Sequence, residues 1–377
     1  GFYGFILNNS SNNTLTANVA TNNDNRGFIL NNSNNNTLTA NTAVNNIDGF
    51  SFNSSSNNTL TGNTASHNSS GAGFNDLGGS VNNTLSANIA INNVDGFRVG
   101  NNDTLTANTA TDNTNYGFNL NSRANNTLTG NTATNNSEGF RLSSSNHNTL
   151  TANTARDNNE RGFLLNSSNN NTLTGNRAEG NGQNGIEIDD STGTLLEGNY
   201  LFENGGGGAT NYSLFIADDS DDTSIIDNTI VATGTAPLIF VESSDSERTT
   251  IAGNTLRNPD LDGSAYITDN GTDTRFDQYD RRTLTTDTQR GYSLLSITGS
   301  SSSSTISVSQ QGSGDIFEFF DSADSEVFTL LGNGNLGIGT SSPSSKLTIT
   351  ATGTDDIFTA HASSGENVLG KDIWRIS

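Results

Sequence analysis

Two short motifs recur on one beat through the first two thirds of this chain, and that beat constrains the fold more than any other feature. A Gly-aromatic pair stands at Gly4-Phe5, Gly27-Phe28, Gly49-Phe50, Gly73-Phe74, Gly96-Phe97, Gly117-Phe118, Gly139-Phe140 and Gly162-Phe163, and Gly185-Ile186 closes the series. Its steps are 23, 22, 24, 23, 21, 22, 23 and 23 residues. The last Asn of strings resembling N-T-L-T-[A/G]-N keeps the same step at Asn18, Asn41, Asn63, Asn88, Asn108, Asn131, Asn153, Asn176 and Asn199, with degenerate copies at Asn228 and Asn254. Eleven units result. A disordered Asn-rich tract holds no such period.

Within a unit the inward residues alternate: Phe28 with Leu30, Leu38 with Ala40, Asn41 with Ala43. Period two means strands, since a helical seam needs i, i+3, i+4 spacing. Three strands joined by Asn-rich corners fill one unit and close a triangular coil of a parallel β-solenoid. Stacked coils set like on like, so Phe28, Phe50, Phe97, Phe118, Phe140 and Phe163 are expected in one column and the Asn series in an amide ladder. Gly before Phe is expected at positive φ, and the Thr residues beside Leu38 face water. A core this narrow suits a chain that is only 30% hydrophobic, with no Cys and no Met. Without Cys there is no disulfide framework and no thiol chemistry.

Charge divides the chain. Residues 1–180 hold ten Asp/Glu against seven Arg, and residues 181–377 hold 29 against nine basic residues, so the net −23 belongs to the last coils and the tail. This balance disfavours nucleic acid and anionic membrane partners. No apolar run reaches the roughly 18 residues of a membrane span, so no membrane insertion is expected. The steps between Asn199, Asn228 and Asn254 lengthen to 29 and 26 residues, and enlarged corners are where solenoids carry binding loops. Residues 1–263 form the solenoid domain. Residues 264–312 lose the beat, carry Tyr266, Tyr279 and Arg275, Arg281, Arg282 and Arg290, end in a Ser-rich linker, and read as a capping connector. Residues 313–377 alternate again (Phe317, Phe319; Val327, Thr329; Leu336, Ile338), with Asn333-Gly334 as a hairpin turn. A weaker second copy runs through Asp356-Ile357-Phe358 and Asn367-Val368-Leu369. A segment this small is expected to associate chain to chain.

The string Gly334 to Ile349, G-N-L-G-I-G-T-S-S-P-S-S-K-L-T-I, resembles the strand repeat near the C-termini of phage tail fibres, tailspikes and some bacterial surface proteins. In those families it precedes an intramolecular chaperone of the endosialidase tailspike type, which assembles a homotrimer and cleaves itself off after a Ser. The resemblance implies a trimerisation stalk, with Ser377 as the post-cleavage terminus. Residues 1–263 are similar to right-handed parallel β-helix repeats of the carbohydrate-binding and sugar-hydrolase class, which includes NosD-like and pectate-lyase-like proteins. The expected fold is therefore all-β: a right-handed parallel β-helix of about eleven coils, then a short β-rich oligomerisation region. Because Gly1 stands inside a repeat, an upstream domain or a neighbouring subunit is expected to cover that end.

Glycoside cleavage needs two carboxylates about 5 to 9 Å apart. Glu187 and Asp189, expected to face solvent about 7 Å apart on one strand, make the strongest acidic cluster with Asp218 and Asp219. The solvated-face reading stands beside it, because exposed acids arise readily on such a repeat. Asp218, Asp219, Asp221 and Asp222 offer oxygen ligands for calcium, but without the loop Gly and distal Glu of an EF-hand. No other cofactor is implied. His67 and His147 lie in Asn-rich corners without acidic neighbours and read as Asn replacements. These observations favour a structural and adhesive component of an extracellular or virion-surface fibre, homotrimeric and in contact with a cell-surface glycan. Two alternatives stay open: a polysaccharide lyase or glycoside hydrolase, and a filament of solenoids stacked end to end.

Overall fold

The computed structural model describes residues 1–68, 70–205, 211–242, 245–261, 266–276, 317–320, 326–338 and 340–349. It is an all-β parallel β-solenoid of about eleven coils. Three parallel sheets of twelve, twelve and eleven strands run along it, and every coil gives one strand to each, as in Phe28–Asn31, Thr37–Thr39 and Thr42–Val44. The first two sheets extend past residue 263 through Ile267–Asp269 and Arg275–Phe276, which pair with the preceding coil. A second compact unit begins at Leu295. Its described strands Phe317–Phe320, Glu326–Leu330, Leu336–Ile338 and Leu347–Ile349 form one small sheet, with Gly334 at φ +78° in the expected turn. Tyr279, Arg281, Arg282, Arg290, the Ser-rich linker, the second strand copy and Ser377 lie outside the described residues.

Register follows the repeat. Phe5 pairs with Phe28, Leu15 with Leu38 and Val19 with Thr42. Eight Phe rings from Phe5 to Phe163 stack at centroid distances of 4.7–4.9 Å with interplanar angles of 3–7°. From Phe28 on they are fully buried. Ile186, Leu214 and Ile239 continue the column. The first sheet adds a second inward file two residues after the Phe column (Leu30, Phe52, Leu120, Leu142, Leu165), while the second sheet turns Leu inward and the third turns Ala inward, so the core is narrow. Inward alternation holds for Leu38 and Ala43, whereas Ala40 lies outside the core.

Ala40 is instead the left-handed corner residue, at φ +53°. The same corner holds Ala17, Gly62, Ala87, Gly130, Gly175 and, in a degenerate copy, Asp227, all at φ between +53° and +63°. The Gly before Phe is not at positive φ, contrary to expectation. Its constraint is space: a Cβ on Gly117 would lie 2.7 Å from Ala133 Cβ and 2.7 Å from the Gly139 carbonyl oxygen. His67 and His147 occupy left-handed corners at φ +56° and +57°, the conformation held by Asn45 and Asn125 one coil earlier, so they do replace Asn.

Three Asn ladders, rather than one, hold the corners. In the ladder anticipated from the sequence, each Oδ1 accepts from the backbone N–H and the side-chain amide of the Asn one coil earlier. A second column precedes the second sheet (Asn36, Asn58, Asn126, Asn148) and a third follows the third sheet (Asn46, Asn68, Asn136, Asn158). Asn131 is fully buried, donates to Asn153 and to the Leu105 carbonyl, and accepts twice from Asn108. Asn131→Ala strands several buried groups and should cost about 3 kcal/mol, read as a shift in urea midpoint with an unchanged slope.

The core is interrupted once by acid. Asp76 occupies an inward position opposite Phe52, and Asp103 replaces Asn in the second ladder one coil on. Both are buried. Asp103 accepts from the backbone N–H groups of Asn83 and Gly100, while Asp76 accepts from the Asn83 amide through Oδ2. Burial, with repulsion from Asp103, pushes Asp76 up to about 8, and burial pushes Asp103 up to about 6. The folded chain thus holds protons that the unfolded chain releases near its ordinary value of 3.8. The stabilisation is full below that value and is lost as pH rises through about 6 and then about 8. Melting temperature should therefore fall between pH 4.5 and 8.5, and Asp76→Asn should flatten that slope.

Candidate functional site

Outward positions on either side of each Gly-Phe pair escape the stacking rule, and there the repeat is least regular. Along the first sheet one outward column runs Ala72, Asp95 and, further on, Tyr116 and Glu138; another runs Arg98, Asn119, Arg141, Leu164. Asp95 accepts from Arg98 Nε at 2.6 Å and from the Asn119 amide at 3.3 Å. Arg141 donates to the Tyr116 hydroxyl at 2.9 Å, and its guanidinium lies 4.9 Å from that ring's centroid. Arg161 bridges Glu138 at 3.2 Å and Glu187 at 2.6 Å, and Asn184 adds a second donor to Glu187.

The carboxylates of this row are closed in: Asp95, Glu138 and Glu187 are 2%, 3% and 7% exposed, while the paired arginines stay partly in water. Burial raises Glu138 above the usual carboxylate range, opposed by Arg141 and Arg161. Burial likewise raises the Tyr116 phenol. Several buried acceptors on this face accept no hydrogen bond among the described residues: Ser51 Oγ, Asn75 Oδ1, Asp95 Oδ1 and Asn119 Oδ1, while Glu138 Oε2 has Arg141 at 3.5 Å. An open cleft of ≈ 520 Å³ is lined by Asn75, Asp95, Arg98, Tyr116, Asn119 and other residues of this face. Four coils beyond Asn119 the same sheet presents rings, with Tyr212 5.2 Å from Phe215 and 4.6 Å from Phe240, and Phe215 pairs directly with Glu187 one coil earlier.

The acids singled out from sequence fall into different places. Glu187 does not face solvent as expected, because Arg161 and Asn184 cover it. Asp189 is half-buried, accepts from Asn166, and is raised chiefly by burial, with Asp218 adding repulsion. Asp219 lines a separate open cleft of ≈ 580 Å³ with Asp190, Asp221, Asp245 and Glu247. Arg248 pairs with Asp221, Asp222 and Glu247 and holds Asp222 below its ordinary range. Two of the four carboxylates considered for calcium are thus committed to a guanidinium, and among the described residues no group of three or more His, Cys, Asp or Glu is placed to hold a metal. The first-sheet row itself was not singled out from sequence. Its signal was the placement of Arg26, Arg98, Arg141 and Arg161 within two residues of Gly-Phe or Gly-aliphatic pairs.

Residues 88–230 match a family model described as a right handed beta helix region, and residues 1–101 one described as periplasmic copper-binding protein (NosD). No curated protein sequence matches the chain. Among solved structures, the A-module of the Azotobacter vinelandii mannuronan C-5 epimerase AlgE4 aligns with a TM-score of 0.58 at 17% identity, over 70% of this chain and 80% of that one. The AlgE6 A-module from the same organism gives 0.55 at 19% identity with the same coverage. The Dettilon tailspike protein gives 0.53 at 13% identity, over 73% of this chain and 61% of that one. At these identities the likeness is one of fold. Copper does not suit the donors present: there is no Cys or Met, and His67 and His147 stand in different corners of different coils.

Arg161 is the keystone of the row. Arg161→Ala leaves Glu138 and Glu187 buried without their shared cation and should cost about 3 kcal/mol at neutral pH. The loss should be smaller at pH 4.5, where Glu138, already raised, takes up a proton; urea unfolding at the two pH values checks both parts.

Proposed function

We propose that this chain is the carbohydrate-contacting solenoid of an extracellular fibre, with the saccharide lying on the outward face of the first sheet. The observation that carries this reading is the open cleft lined by Asn75, Asp95, Arg98, Tyr116 and Asn119, a row of acceptors beside arginine donors that runs along the axis toward the Tyr212, Phe215 and Phe240 rings. Sugar hydroxyls donate to such acceptors, guanidinium groups donate back, and pyranose faces rest on half-exposed rings. The tailspike neighbour supports a fibre context, and the epimerase neighbours, named for mannuronan, show the same fold in proteins that act on a polysaccharide. The NosD and tailspike likenesses favour an extracellular or periplasmic location. Among the described residues no helix is long and apolar enough to cross a membrane.

Binding is favoured over catalysis on this face because Asp95 is paired with Arg98, Glu138 with Arg141 and Arg161, and Glu187 with Arg161, while burial raises the Tyr116 phenol. The C-terminal strands, with their tailspike-like string, are proposed to join three chains through the segment that precedes an endosialidase-type chaperone. Three chains in solution by light scattering support the fibre, and a monomer removes the trimer.

A glycan array should show retention of one saccharide class by the wild-type chain. Arg98→Ala or Phe215→Ala should weaken it about tenfold, or about 1.4 kcal/mol. An empty array, or binding untouched by both substitutions, overturns the site. Release of shortened or unsaturated sugar products, abolished in Glu187→Gln or Asp218→Asn, would make the chain an enzyme instead.

A further inference from the structure

The second sheet presents a face unlike the other two. From Thr14–Thr16 to Thr172–Thr174, eight consecutive strands read T-L-T, with Ser86 the single exchange. Leu points inward and both flanking residues point out, so two parallel ranks of hydroxyl and methyl groups run along the axis. Each Thr is in register with the Thr or Ser of the next coil. No charged or aromatic side chain interrupts the ranks. Their hydroxyls make no hydrogen bond within the chain among the described residues, so neither packing nor the ladders account for the uniformity.

β-propensity alone is a weak explanation, because the third sheet descends from the same repeat and has drifted. Its outward positions include Val19, Ile89, Ile91, Arg156 and Arg177. The first sheet has diverged further still. A demand from outside the molecule is the difference that remains.

Geometry indicates what makes that demand. Seven successive pairings of the T-L-T strands hold one-to-one register without a shift, so the two ranks run unbroken along the axis. They repeat once per coil, at the 4.7–4.9 Å spacing of the Phe rings. Across the strand the repeat is about 6.6 Å, two residues of extended chain. The axial repeat is close to one repeat of the oxygen lattice on a prism face of ordinary ice.

We propose that the threonine face of the second sheet is an ice-binding surface, whose hydroxyls hold waters in lattice positions while the methyl groups fill the spaces between them. The partner is neutral, as the face is, although the chain carries −23. A crystalline polysaccharide is a poorer occupant, since flat sugar faces are met by rings and none stands here. This surface is separate from the first-sheet face, so either assignment can fail without the other.

The test is thermal hysteresis and ice-recrystallisation inhibition by the full chain, with Thr104→Tyr/Thr127→Tyr in the middle of the array and Thr109→Tyr/Thr132→Tyr on the third sheet as the matched control. Circular dichroism confirms that each variant is folded. The wild type and the control should both depress the freezing point below the melting point and shape the ice crystal, and the array variant should fall to buffer level. Absence of both activities in the wild type overturns the proposal, as does equal loss in the two variants. A face-to-face dimer that only the array variant dissociates would assign the surface to a second copy and also overturn it.

Discussion

Everything in the solenoid depends on one constraint: each strand closes its backbone hydrogen bonds with the equivalent strand one coil away, in register. Neighbours along the axis are then repeat-equivalents, so the residue acceptable at a position is the one that tolerates its own kind on either side. Phe stacks on Phe with nearly parallel rings. Asn is self-complementary, because its amide carries both donor and acceptor, and it can replace the corner hydrogen bonds that sheets alone leave open. Ser fills a fourth column by the same logic, each hydroxyl accepting from the backbone of the Ser one coil earlier.

Charge is the residue property that this rule excludes. A column of like charges 4.8 Å apart repels itself, and the buried carboxylates on the first sheet's outer face are met by arginines, as Asp48 by Arg26 and Glu138 and Glu187 by Arg161 of neighbouring coils. The acidic clusters of the last coils coincide with lengthened corners, where the stack is looser and Arg248 gathers three carboxylates. Asp76 is the exception that shows the rule. It sits in the core beside a second acid, and the pair holds its protons at a pH where isolated carboxyls have lost them.

What was legible in the sequence follows from the same division. Period, strand count, the Phe column and the identity of His67 and His147 as Asn substitutes all depend on comparing a residue with its own repeat, and the repeat displays that directly. Contacts between unlike residues in adjacent coils do not show up this way. Arg161 finds Glu187 26 residues ahead and Glu138 23 residues behind, and nothing in the motif announces either. Glu187 does stand on the outward side of its strand, but the expected solvent exposure is lost because Arg161 and Asn184 cover it. The Gly before Phe was attributed to backbone conformation because that is the local reason for Gly, whereas the operative reason is a carbonyl and a Cβ from the coil ahead.

A fold stabilised from inside and along its axis leaves its outer surfaces free to take on unrelated tasks. Inward files and corner ladders supply the stability, so an outward position can change without disturbing the stack, provided it respects its neighbours' charge. The first sheet has used that freedom to build a varied polar row ending in rings, and the third keeps Thr at many outward positions while admitting Val19, Ile89, Ile91, Arg156 and Arg177 at others. On the second, uniformity itself is the anomaly: a position released from structural duty that has nonetheless stayed Thr or Ser through eight coils is answering to something the molecule does not contain. A repeat protein thus offers its own internal control, since three faces copied from one unit under one set of stacking rules differ only by what each has had to meet.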